Sequence, residues 1–204
     1  MNNMNYGLYY NKEKLGDILF VIFNSNANPN LEKVGNCIVL YKNNEIIGYN
    51  IFNISEIVKI KSNGFIPNNN YKLIEVINSI LKNNNLSILE KQKDSGFVVG
   101  EIIDIDEHPE SSHLHICQVN INEGKPLQVV CGAFNAKLNL KVVLAKPYSF
   151  MPNGQQIIPS KLLGIDSYGM LCSGRELNLP GYENIKGLLE LDDSYKLGED
   201  FWGK

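Results

Sequence analysis

From Phe97 onward the chain breaks into short apolar runs, each followed by residues that turn the backbone. The runs are Phe97–Ile105, Leu114–Ile121, Leu127–Cys131, Lys141–Ala145 and Gln156–Leu163, and Gly, Pro or Asn stands in every gap between them. Such runs read as strands, because a helix needs about ten to twelve residues to bury a face. Five strands at this spacing predict a small closed or partly open barrel. Gly100, inside the first run, marks a bulge or a close backbone approach, and Pro159 confines the last run to an edge or a bulge. Beyond the runs, Arg175–Leu179 predicts a helical turn capped by Ser173. Residues 187–191 (GLLEL) predict one more short strand.

The first half has a different texture. It holds 21 Asn in residues 1–96, gathered at 2–5, 24–30, 67–71 and 82–85 and lying between apolar segments rather than inside them. They read as loop filling. Between them, Tyr6–Tyr10, Asp17–Phe23, Val34–Tyr41 and Glu45–Phe52 read as strands, and Asn43-Asn44 as a two-residue hairpin turn. Asn70 caps a helix over Tyr71–Lys82, where Leu73, Ile74, Ile77, Ile80 and Leu81 recur at helical spacing. The expectation is a small α+β domain of unknown role over residues 1–90, a polar linker over 91–96 (the polar stretch begins at Glu90), and an all-β barrel over 97–204.

Composition narrows the function classes. The chain is 44% hydrophobic and 20% charged, as in ordinary globular proteins. No run of 18 apolar residues predicts a membrane helix, and the N-terminal residues carry no export signal, so a cytoplasmic protein is expected. Cys37, Cys117, Cys131 and Cys172 are scattered, and in such a compartment they stay reduced. Three of them lie in apolar strings and read as buried small hydrophobes. The net charge is −3. Residues 97–176 hold 6 Lys+Arg against 8 Asp+Glu, so any polyanion must meet a local patch, with modest, salt-sensitive affinity.

Constellations of chemistry are few. His108, His113 and His115 cluster, but no Cys or carboxylate at suitable spacing completes a tetrahedral set, so they read as a polar turn and no metal is expected. Ser173 has no nucleophile-elbow context, and no phosphate-binding Gly loop or dinucleotide fingerprint occurs. Neither an enzyme nor a cofactor is expected.

What remains is an ordered set of strings: Gly100-x-Ile102, His108-Pro109, Leu114-x-x-Cys117-Gln118-Val119, Val130-Cys131-Gly132-Ala133-x-Asn135, Gly164-Ile165-x-Ser167-x-Gly169-Met170-Leu171-Cys172-Ser173 and Glu176-Leu177. From Phe97 to Trp202 this resembles the tRNA-binding domain found in the bacterial phenylalanyl-tRNA synthetase β chain, at the C-terminus of methionyl-tRNA synthetases, in the endothelial-monocyte-activating polypeptide and in the chaperone CsaA. With an α+β domain in front, the whole chain looks like the bacterial YtpR-type family. The resemblance implies an OB-fold barrel that binds tRNA or other structured RNA without catalysis. It also implies that Asn135, Ser173 and Glu176 lie on or near the RNA-facing surface. To these the reading adds Lys137, Lys146, Lys161 and Arg175 as phosphate contacts, because they are most of the cations in the module. Phe134 or Tyr148 is expected to stack on a base, and Met170, Leu171 and Cys172 to pack the core. Phe134 stands where the family carries proline, and His113 where it carries lysine. The alternative is a peptide-binding or chaperone-like module on the same fold, or a homodimer formed through 187–191 and Phe201-Trp202.

Overall fold

The computed structural model describes residues 5–24 and 28–203, so the asparagine clusters at 2–5 and 24–30 lie partly outside the described residues. The chain divides into two compact units, residues 1–93 with 152–156, and residues 94–151 with 157–204.

The first unit is a mixed α+β fold. In chain order it runs β1 (Gly7–Tyr10), α1 (Lys12–Leu15), β2 (Ile18–Ile22), β3 (Asn30–Val34), β4 (Cys37–Lys42), β5 (Glu45–Phe52), β6 (Gly64–Ile66) and α2 (Tyr71–Asn83). The strands form one antiparallel sheet in the order β3-β4-β5-β2-β1-β6. Alternation puts Leu8, Tyr10, Leu19, Val21, Val39, Tyr49 and Ile51 on one face. They share a core with Leu73, Ile74, Ile77, Ile80 and Leu81, the apolar stripe of α2. The Asn70 side chain accepts from Leu73 N at 3.3 Å and so starts α2 where the sequence expected.

The asparagines have a conformational use. Among the described residues, nine non-glycine residues have positive φ, and seven of them are asparagines: Asn43, Asn44, Asn53, Asn85, Asn122, Asn139 and Asn178. Asparagine tolerates the left-handed region better than other L-residues, because its short amide bonds to the local backbone. Asn43 and Asn44, at φ 51 and 64, close the β4–β5 hairpin between Lys42 and Glu45.

The second unit is a nearly closed OB-fold-like barrel. It contains β7 (Phe97–His108), β8 (Ser111–Asn120), β9 (Leu127–Cys131), β10 (Lys141–Ala145), β11 (Ser160–Leu162), β12 (Ile165–Ser167) and β13 (Met170–Leu171). Five of these form an antiparallel sheet in the order β13-β10-β7-β8-β9. The 12-residue β7 shifts register between Ile102 and Asp104 and again between Glu107 and His108, bends that let the sheet curl. Gly100 faces inward, and a Cβ there would meet Val119 Cγ1 at 2.6 Å; this is the close approach expected of it. The sheet edges are tied near β9. Tyr168 N donates to Gln128 O at 2.8 Å, Val130 N to Ser167 Oγ at 3.1 Å, and Gln128 Nε2 to Asp166 O at 2.8 Å.

Two local expectations change. The single strand at Gln156–Leu163 is instead the first arm of a two-stranded ribbon, β11–β12, reversed at Leu163-Gly164, both with positive φ. Residues 187–191 form no strand; Leu191 makes only an isolated bridge to Lys141. Leu188 and Leu189 are buried, and Trp202 meets the Phe97 ring edge-on at 6.2 Å between centroids. The segment around Asp94–Gly96 is anchored too. Ser95 N donates to Asp200 Oδ2 at 3.0 Å, and its hydroxyl donates to Asp200 Oδ1.

Candidate nucleic-acid interface

The strings Val130–Asn135 and Gly169–Glu176 meet in space. β9 ends at Cys131, β13 at Leu171, and the segments leaving them line one groove of about 440 Å³. Buried Cys131, Leu171 and Leu188 form its floor, while exposed Phe134, Arg175, Glu176, Ile185 and Lys186 form its rim. Met170 lines it half-buried, whereas Leu171 and Cys172 belong to the interior. Burial pushes the Cys131 thiol up from its ordinary pKa and the Cys172 thiol much further up, so both sulfurs stay protonated and inert.

Each side of the groove has its own lock. Ser173 N and Ser173 Oγ both donate to Glu176 Oε2, at 2.8 and 2.6 Å, and Glu176 N donates back to Ser173 Oγ at 3.2 Å. This reciprocal pair is a capping box, and it closes the single turn over residues 174–178. The turn carries Arg175 outward. Gly174 is needed beneath it, since a Cβ there would lie 2.3 Å from Cδ1 of the Tyr182 ring.

Asn135 locks the opposite side. Its Nδ2 donates to Leu188 O at 3.1 Å and to Glu190 Oε1 at 2.9 Å, and its Oδ1 accepts from Leu188 N at 2.8 Å. Lys137 pairs with the same carboxylate at 3.4 Å. The Asn135 hydrogen bond and then the Lys137 ammonium hold Glu190 below the usual carboxylate range. Gly187, at φ 91, passes so close that a Cβ would sit 2.6 Å from Asn135 Oδ1 and 3.0 Å from Phe134 Cε1. Only glycine fits that backbone without strain.

The expected site residues therefore separate into groups. Ser173, Arg175 and Glu176 come together at the groove with Phe134, and Asn135 and Lys137 sit beside it on the Glu190 clasp. Lys161 lies away on the ribbon, paired with Asp166 at 3.5 Å, both exposed. Lys146 is occupied: its ammonium lies 2.6 Å from Asp94 and 3.8 Å from Glu123, with its side chain only 20% exposed. Sequence reasoning missed Lys186 and the wall at Gly187-Leu188, which Asn135 brings in from more than 50 residues away. The GLLEL string at 187–191 reads as a strand and carries no sign of this contact.

The histidines are structural in part. Glu110 N donates to His108 Nδ1 at 3.1 Å, so Nε2 carries the proton and donates to Leu162 O at 3.1 Å. No cluster of His, Cys, Asp and Glu among the described residues could hold a metal ion. No helix among them is long and apolar enough to cross a membrane.

Comparison with known proteins agrees with this geometry. Residues 97–200 match the family described as "Putative tRNA binding domain", and residues 24–89 match a domain family of unknown function, DUF4479. The chain is 36% identical over 198 residues to the Bacillus subtilis "Putative tRNA-binding protein YtpR", covering 95% of this chain and 98% of that one. It is 33% identical over 195 residues to an uncharacterized Mycoplasma pneumoniae protein, the MG449 homolog, covering 93% and 82% of the two chains. Its second half is 45% identical over 103 residues to the phenylalanine–tRNA ligase beta subunit of Legionella pneumophila, covering 50% of this chain and 13% of that one.

Proposed function

Because the chain belongs to the family of tRNA-binding OB-fold proteins, we propose that it binds structured RNA, tRNA foremost, in the groove beside Phe134 and does no chemistry on it. The observation that carries the placement is electrostatic. Arg175 and Lys186 line the groove, and neither forms an ion pair among the described residues. Two unpaired cations over an apolar floor suit a phosphate backbone, with bases turned toward the floor. Asn135, Ser173 and Glu176 act in this reading mainly by holding the two walls. Lys137 and Lys161 sit in exposed pairs of little net worth, which a phosphate can displace. Lys146 is the weakest candidate, because its charge is already met by carboxylates.

In the same proposal residues 97–204 form the RNA-binding domain, 91–96 connect it to residues 1–90, and the protein works in the cytoplasm beside its RNA. A homodimer would use the half-buried Phe201 and Trp202, since Leu188 and Leu189 are buried within their own unit.

The test is a filter-binding titration of bulk tRNA at low salt, with wild type and the Arg175→Ala/Lys186→Ala double variant. Retention by wild type and a loss of about tenfold or more in the double variant is expected. No retention by wild type would remove the RNA reading, and an unchanged double variant would move the site elsewhere.

A further inference from the structure

We propose that the groove admits one unpaired nucleotide, its base stacked on Phe134 and its phosphate held by Arg175 and Lys186, so that the chain selects unpaired RNA over continuous duplex. The proposal rests on the RNA-binding reading above and names the part of the RNA that enters.

Phe134 is 78% exposed, the greatest exposure of any large hydrophobic residue described. Burial does not explain a phenyl ring left in water at that position. Its backbone, however, is tightly held. Ala133 N donates to Cys131 Sγ at 3.4 Å, Ala136 N donates to Ala133 O at 3.1 Å, and the next residue, Asn135, is pinned by its three hydrogen bonds. The ring edge also rests against Gly187. An exposed aromatic on a fixed backbone is a preorganised platform, because little freedom remains to be lost when a flat ligand stacks on it.

The surroundings define the ligand. The groove's 440 Å³ falls at the small end of ligand sites, which run about 300–1,000 Å³, so it suits a nucleotide rather than a helix. Cations on the rim call for an anion beside the flat group. Glu176 uses Oε2 to cap its turn, leaving Oε1 to accept a hydrogen bond from a base edge. A paired base in a duplex is stacked on its neighbours and has its edge occupied by its partner, whereas an unpaired base offers both face and edge.

The experiment uses the full chain with an unstructured single-stranded RNA 12-mer, a blunt RNA duplex of equal length, and bulk tRNA. Each is titrated against wild type, Phe134→Ala and Phe134→Trp. We expect Phe134→Ala to weaken 12-mer and tRNA binding about tenfold, as the loss of one stacked base does. We expect Phe134→Trp to restore it, and the duplex to bind weakly and equally to all three. If tRNA binds wild type but neither variant differs from it, or if the duplex competes as well as the 12-mer, the stacking site is wrong while RNA binding stands. If wild type retains no tRNA, the RNA reading falls and the stacking site falls with it.

Discussion

Lys146 shows how a cation can look available in the sequence and be committed in the fold. Its side chain is about four-fifths covered and lies 2.6 Å from Asp94, itself only 13% exposed. Removing one partner of a covered pair leaves the other charge without its counterion. Lys146→Ala should therefore lower unfolding stability by about 1–3 kcal/mol, read by urea denaturation, and leave RNA affinity of the folded protein unchanged. A variant of wild-type stability that binds RNA more weakly would return Lys146 to the interface. The Glu190 clasp makes a second statement at this scale. Asn135 and then Lys137 depress the Glu190 pKa in the folded chain. A carboxyl whose folded pKa is lowered stabilises the fold fully above its unfolded pKa, about 4.3, and loses that contribution as pH falls through the folded value. The stability difference between wild type and Glu190→Gln should thus be constant at neutral pH and shrink once pH drops below about 4. Thermal unfolding at pH 7, 5 and 3.5 measures it, and a difference that grows toward acid contradicts the clasp.

The turn over residues 174–178 has no length to hold itself together, so its cap matters more than its sequence propensity. Glu176→Ala breaks both bonds into Ser173 and should cost about 1 kcal/mol, with Glu176→Gln recovering part of the loss because an amide oxygen still accepts. Hydrogen exchange should quicken at Ser173 and Glu176 in the alanine variant; unchanged exchange there would mean the cap is idle. Elements of this kind divide what was legible in the sequence from what was not. The stripe on α2, the hairpin at Asn43-Asn44 and the strands Leu127–Cys131 and Lys141–Ala145 follow from local periodicity and turn chemistry. β3 escaped because its residues, Asn30 to Val34, are almost wholly exposed and carry no alternation of apolar and polar. Gln156–Leu163 reads as one strand because only Leu163 and Gly164 turn the chain back, and leucine gives no sign of a positive φ. In the groove, Ser173, Arg175 and Glu176 were legible as one contiguous string. Lys186 and Leu188 were not, because long-range hydrogen bonds from Asn135 place them, and no local pattern encodes such a contact.

At the scale of the whole molecule, charge is the tension. The chain carries −3 overall, so its net charge repels RNA and attraction must be local. In the proposed site, where two cations have no ion pair among the described residues, binding takes a small electrostatic contribution and a larger one from stacking. Counterion release makes the distinction measurable. For single strands, log affinity falls with log salt at about −0.7 per neutralised phosphate. Two contacts give a slope of about −1.4, a loss of roughly sevenfold between 50 and 200 mM salt. Arg175→Ala should flatten the slope by about 0.7, whereas Phe134→Ala should lower affinity at every salt concentration and leave the slope unchanged. The 10 lysines of residues 1–96 supply the competing outcome. Were they to share the RNA, the slope would approach about −3 or steeper and Arg175→Ala would barely change it. Titration of the single-stranded 12-mer at four salt concentrations separates the two, because only the two-cation groove ties the slope to Arg175 and the offset to Phe134.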